Sequence, residues 1–253
     1  MNRDTARQWA NVVAYIAVVA VNALANILPI GGQTTAEVSN RFPTFVTPAG
    51  YVFIIWGIIY IFLGGFIVYQ ALPSQRYNPR LQRIGWLFVL SSAANIAWIF
   101  LWQYNIFSLT LIAMFTLLGS LISIYLLLDI GLMRVPVIEE LLVNAPFSIY
   151  LGWITVASIA NVAVVLTVAG FSGFGLAPQT WAIALLVIAT GIASAVAWTR
   201  VDLAYSAVIW WSFVGISAAQ QRAPGVALAA EAGAAAVAVV LLIAAVRRRR
   251  VSA

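Results

Sequence analysis

The sequence predicts an all-α integral membrane protein, a helical bundle of about eight transmembrane helices. Three observations carry that expectation: composition, segmentation and the placement of arginine. Of the 253 residues, 64% are hydrophobic and only 8% charged, with a mean hydropathy of +1.01, whereas soluble domains carry about 25% charged residues. A helix needs about 20 apolar residues to cross ~30 Å of hydrocarbon. Such stretches fall at 9–30, 49–71, 83–103, 106–128, 142–169, 180–199, 202–220 and 224–246. With the N-terminus inside, the inside segments hold Arg3, Arg7, Arg76, Arg80, Arg83, Arg134, Arg200 and Arg247 to Arg250. That is eleven arginines, against Arg41 and Arg222 outside. The positive-inside rule expects such a split, and it places both termini in the cytoplasm of a plasma (inner) membrane protein.

Taken in order, the first stretch has the outline of a signal peptide, with Arg3 and Arg7, an apolar run and then Ala23-Leu24-Ala25. Asn22 and Pro29 are out of place in one, so an uncleaved helix is expected. Residues 31–48 form the sizeable outside connection and end in Arg41-Phe42-Pro43-Thr44-Phe45-Val46-Thr47-Pro48. Loops of this length in compact bundles are commonly binding elements, so 41–51 is expected to act as a lid. Residues 72–82 are a polar, basic cytoplasmic loop. The glycine-rich 170–179 follows a helix and lacks the strand that a nucleotide fingerprint requires. Pro178 and Pro224 fit helix N-termini. The seventh stretch is the shortest, tied to the sixth by Thr199-Arg200-Val201-Asp202.

Absent residue types exclude whole chemistries. The chain has no Cys, His or Lys, hence no disulfide, no thiolate nucleophile, no metal site of the usual kind, no imidazole base or haem ligand, and no Schiff base. No catalytic and no metal-ligating residues are assigned. The sequence pI of about 10.1 does not imply nucleic acid, because the arginines sit at helix ends where they set topology.

Polar side chains at membrane depth are costly unless they face the bundle. Asn22 and Asn26 share a face of the first helix; Phe53, Trp56 and Tyr60 line the second; Asn95, Trp98 and Trp102 line the third. Tyr150, Trp153, Ala157 and Asn161 line the fifth. Single residues of this kind serve as interhelical glue, worth ~0.6 kcal/mol each, but four stripes together predict a pocket. Two sets of alanines at four-residue spacing, Ala189/Ala193/Ala197 and Ala230/Ala234/Ala238, predict close helix packing or a dimer face. Glu231 is expected at membrane depth near the outside end. Asp129, Glu139, Glu140 and Asp202 are expected to be solvated at cytoplasmic ends.

Several of these residues also carry a resemblance. Pro43-x4-Pro48 followed by Trp56 and Tyr60, then Asn95-x2-Trp98, then Leu141-Leu142 with Tyr150-x2-Trp153-x3-Ala157-x3-Asn161, occur in that order. They resemble the first loop and the second, third and fifth helices of the TspO/MBR family, the tryptophan-rich sensory or translocator proteins. The motifs cover residues 9–169. Phe45 stands where that family has a loop Trp, Thr47 replaces the first proline of a pair, and Ile149 replaces a fifth-helix proline. The expected organisation is a TspO-like five-helix bundle over 1–169 and a three-helix C-terminal extension over 170–253 with a basic cytoplasmic tail.

The resemblance implies a membrane protein that binds, and thereby transports or senses, a flat hydrophobic ligand such as a porphyrin or other tetrapyrrole, a sterol or a related lipid. The ligand-binding residues are expected to be Phe45, Pro48, Tyr51, Trp56, Tyr60, Asn95, Trp98, Tyr150, Trp153, Ala157 and Asn161. No cofactor is required beyond a bound tetrapyrrole or lipid, and the partners are the bilayer, the ligand and a second copy in a homodimer. A light-dependent porphyrin-degrading enzyme and an ion-coupled secondary transporter are the alternatives. Acid–base catalysis has neither His nor paired carboxylates at depth to work with. No inverted repeat supports the transporter.

Overall fold

A chain this apolar cannot rely on water to satisfy its backbone, so each crossing closes its own hydrogen bonds as a helix. The computed structural model describes residues 3–252, with side chains through Arg247; the side chains of Arg248 to Arg250 lie outside the described residues. α1 (Arg3–Ile27) leads into a loop holding a short α2 (Thr35–Arg41) and a 3-10 turn, Gly50–Ile54, which runs into α3 (Ile55–Ala71). After α4 (Pro79–Ile84) come α5 (Leu87–Gln103) and α6 (Phe107–Leu127). A single turn, α7 (Val137–Glu139), passes through a π-helical turn, Glu140–Asn144, into α8 (Ala145–Val168). Then follow α9 (Pro178–Arg200), α10 (Leu203–Ala219) and α11 (Pro224–Ser252).

Eight long helices thus follow the eight apolar stretches. Among the described residues, six segments are long and apolar enough to cross a membrane, while α5 and α10, of 17 residues each, are shorter apolar helices between them. The stretch expected over 83–103 is broken at Gly85, whose φ of +56° is a conformation that glycine alone adopts without strain.

The first five long helices close a ring: α1 packs on α3 and α5, α5 on α6, α6 on α8, and α8 back on α3. α10 docks on α8, and α11 packs against both α9 and α10. The α8–α10 seam is tight, since a Cβ on Gly152 would lie 3.1 Å from both the Tyr205 carbonyl oxygen and Val208 Cβ. Ala189, Ala193, Ala197, Ala230 and Ala234 are all buried, so these small residues bring helices together within the chain.

The arginine-rich end carries buried polar networks. Arg7 donates to the carbonyls of Leu81 (2.8 Å) and Arg76 (3.3 Å), and Gln8 donates to that of Gln70 (2.6 Å), which stitches the 72–82 loop to α1. Two acids expected to be solvated are not. Glu139 accepts from Arg80 at 2.6 Å with only 13% of its side chain exposed, and Asn78 donates to it at 3.1 Å. Asp202 is buried between α6, α8 and α10 because three donors surround its carboxylate. Asp129 and Glu140 stay at the surface, paired with Arg83 and Asn144 respectively.

Candidate functional site

Helical periodicity puts Trp56 and Tyr60 of α3 one turn apart, and their rings stack with centroids 5.7 Å apart. The same indole meets Tyr150 and Trp153 of α8 edge to face, each at 6.1 Å. Phe53, in the turn that enters α3, reaches Trp153 at 5.5 Å. Edge-to-face and offset contacts of this kind add about 0.5–1.5 kcal/mol beyond area burial. Trp153 and Tyr150 are buried, whereas Phe53 is 39% exposed and Trp56 half-buried, so one side of the cluster is accessible. Two donors within it, the Trp153 indole N–H and the Tyr60 hydroxyl, are buried with no acceptor among the described residues.

A chain of amides extends the cluster across the ring. Asn22 of α1 donates to Asn95 Oδ1 at 2.7 Å, and Asn95 of α5 donates to the Tyr150 hydroxyl at 3.0 Å. A second branch lies nearer the first loop: the Trp98 indole donates to Asn161 Oδ1 at 2.8 Å, and Asn161 donates to Thr110 of α6 at 3.0 Å. Trp98 also stacks on Trp102 at 5.0 Å. The four stripes therefore do converge, and much of their hydrogen bonding is spent on one another. Ala157 is half-buried against the same core.

Phe45 is half-buried against the core, Pro48 is buried near Gly215, and Tyr51 is half exposed with its ring edge-on to Trp211 of α10 at 5.4 Å. Residues 31–48 are more ordered than a plain loop. Thr34 and Glu37 form a reciprocal capping box that starts α2. The Trp102 indole donates to the Thr35 carbonyl at 3.2 Å, and Phe42 meets Phe107 edge-on at 5.1 Å.

Three elements of this region have no local signal in the sequence. Thr110 is a lone hydroxyl on an apolar helix, and Trp211 and Gly215 belong to a helix far along the chain. A separate cleft of about 600 Å³ opens at the arginine-rich end beside Arg134, Glu140 and Asp202. Glu231 accepts the Ser217 hydroxyl at 2.6 Å and so ties α11 to α10.

The family model for TSPO-like protein matches residues 8–245. The chain belongs to the TSPO-like protein family. The match runs through α9, α10 and α11 as well as the five-helix ring, beyond the 9–169 that the motifs cover. No curated protein and no solved structure gives a significant match. Membership and the apolar helices together make this a multi-pass integral membrane protein of a kind that binds or transports ligands.

Proposed function

We propose that the protein binds a flat hydrophobic ligand, a metal-free tetrapyrrole such as a porphyrin, a sterol or a related lipid, against the Phe53–Trp56–Tyr150–Trp153 cluster beneath the first loop. The observation that carries this reading is the pair of unmatched donors there, Trp153 Nε1 and Tyr60 OH. A donor buried without an acceptor costs about 1–3 kcal/mol, which a carbonyl, hydroxyl or carboxylate on a ligand's edge recovers while its plane lies on the indoles. A chain without His or Cys offers iron neither an imidazole nor a thiolate as axial ligand, which favours the metal-free ring. The arginine-rich end faces the cytoplasm by the positive-inside rule, leaving the lid on the other side of the membrane. Binding of this kind serves sensing or transport.

The test is titration of the detergent-solubilised protein with protoporphyrin IX, followed by tryptophan quenching and by the porphyrin absorbance band. Saturable binding is expected, weakened about tenfold by Trp153→Ala through loss of one stacking contact. Non-saturable quenching, or binding indifferent to both Trp56→Ala and Trp153→Ala, would falsify the reading.

A further inference from the structure

The first loop is fastened twice, to partners far away in sequence. Its α2 half is held by the ring, through the Trp102 indole on the Thr35 carbonyl and through Gln103, which donates to Thr35 Oγ1 at 3.2 Å. Its second half, residues 44–54, is held by α10. The Ala49 amide donates to the Gly215 carbonyl at 3.0 Å, the Trp211 indole donates to the Val52 carbonyl at 3.3 Å, and Gln220 donates to the Thr44 carbonyl at 3.3 Å. Tyr51 lies edge-on to the Trp211 ring. The contact depends on Gly215, since a Cβ there would stand 2.1 Å from Val52 Cγ2 and 3.3 Å from Pro48 Cβ. A side chain at that position requires the buried Val52 side chain, or the loop that carries it, to shift.

The segment so held runs directly into the aromatic cluster, because Phe53 closes on Trp153 and Trp56 begins the next turn. α10 is itself braced from behind by the Ser217–Glu231 hydrogen bond to α11, two residues past Gly215. We propose that α10 is the latch of the lid: Trp211, Gly215 and Gln220 hold residues 44–54 at the edge of the aromatic cluster and thereby set how long a ligand stays. They are positioning residues, acting through the loop. The consequence for ligand residence rests on the function proposed above, whereas the hold on the loop does not.

Hydrogen–deuterium exchange of the full chain in detergent, without added ligand, tests the hold directly. Gly215→Ala is expected to speed exchange across residues 44–54 by about tenfold or more, since it displaces several hydrogen bonds at once. The control is Gly191→Ala on α9, where a Cβ meets nothing within 4 Å, and it is expected to leave that segment unchanged. Trp211→Phe and Gln220→Ala each remove one donor, and each is expected to speed exchange about two- to tenfold; they decide the matter if Gly215→Ala does not fold. Exchange within about twofold of wild type in the Trp211→Phe, Gln220→Ala double variant overturns the latch, being less than the loss of one net hydrogen bond. In the same variants the dissociation rate of bound protoporphyrin IX is expected to rise in step with exchange. A faster-exchanging loop with an unchanged dissociation rate overturns control of residence. A protein that binds no porphyrin defeats the proposed function instead, and the exchange measurement still decides the latch.

Discussion

The Tyr125 hydroxyl of α6 donates to Asp202 Oδ2 at 2.9 Å. Ser148 of α8 donates to the same oxygen at 2.6 Å, and Asp202 Oδ1 accepts the Tyr205 amide at 3.0 Å as the N-cap of α10. Two helices of the ring and the first turn of α10 thus meet on one carboxylate, 7% exposed. A buried carboxylate is tolerated when donors surround it, and hydrogen bonds to a charged acceptor are the strong kind. The join between the ring and the last three helices is consequently polar at this end and close-packed at Gly152.

Asp202→Ala should therefore be among the more damaging single substitutions. It removes an N-cap, worth about 0.5–2 kcal/mol, and leaves two buried hydroxyls without their acceptor at about 1–3 kcal/mol each. Thermal unfolding in detergent is expected to show a loss of several kcal/mol, with Asp202→Asn milder because one acceptor oxygen remains. Ser148→Ala, which removes a single donor, should cost less than either. A wild-type melting curve for Asp202→Ala would refute the account of the join.

Arg80 and Glu139 form a pair with side chains 12% and 13% exposed, and Arg80 also reaches the Leu128 carbonyl at 2.8 Å and Asn144 Oδ1 at 3.0 Å. Removing one partner of such a pair leaves a poorly hydrated charge, at about 3–5 kcal/mol. Glu139→Leu and Arg80→Met are each expected to destabilise strongly, and the double substitution to cost less than the sum of the two. Chemical unfolding of all four proteins measures that difference, and strict additivity would show the two residues to be uncoupled.

Much of this molecule is legible in its sequence, for identifiable reasons. Hydropathy finds the helices because lipid imposes one length and one polarity on each crossing, and Trp56, Asn95, Trp98, Tyr150, Trp153 and Asn161 are legible as inward-facing because an i, i+3 or i+4 repeat of aromatics and amides has nowhere else to go. Asp202 is not legible. An acid beside an arginine at a helix end defaults to solvent, and what buries it, Tyr125, is 77 residues away. Nor is the seat of the first loop on α10 legible, since the contact between Val52 and Trp211 spans 159 residues. Thr110 looks like any hydroxyl turned back on its own helix until Asn161 is placed beside it.

The capping box at α2 gives a pH-dependent prediction outside the membrane. The Thr34 backbone amide and hydroxyl both donate to Glu37, and these bonds lower its carboxyl from the ordinary 4.5. A carboxylate depressed in the folded state stabilises α2 above pH 4.5 and loses that contribution as the pH falls through the folded value. Carboxyl-resolved NMR titration should place the Glu37 midpoint below 4.5, and Thr34→Ala should move it back up by removing the hydroxyl donor. An unmoved midpoint would mean that the backbone amide alone sets it.

Asn95 is the link between the amide chain and the aromatic cluster, and that position separates structural glue from ligand site. If it only ties helices together, the Asn22→Ala, Asn95→Ala double-mutant cycle should return a coupling near ~0.6 kcal/mol, the average for such pairs in membranes, with little effect on ligand affinity. If it also holds the Tyr150 ring against Trp56, then Asn95→Leu, which leaves the Tyr150 hydroxyl without its donor, should weaken porphyrin binding as well as stability. Tyr150→Phe discriminates further, because it keeps the ring and discards the hydrogen bond. Retained affinity in Tyr150→Phe with reduced affinity in Asn95→Leu would assign the effect to the volume and polarity at Asn95. Equal losses in both would assign it to the bond that orients the ring. Affinity unchanged in both would confine Asn95 to the packing of α1, α5 and α8.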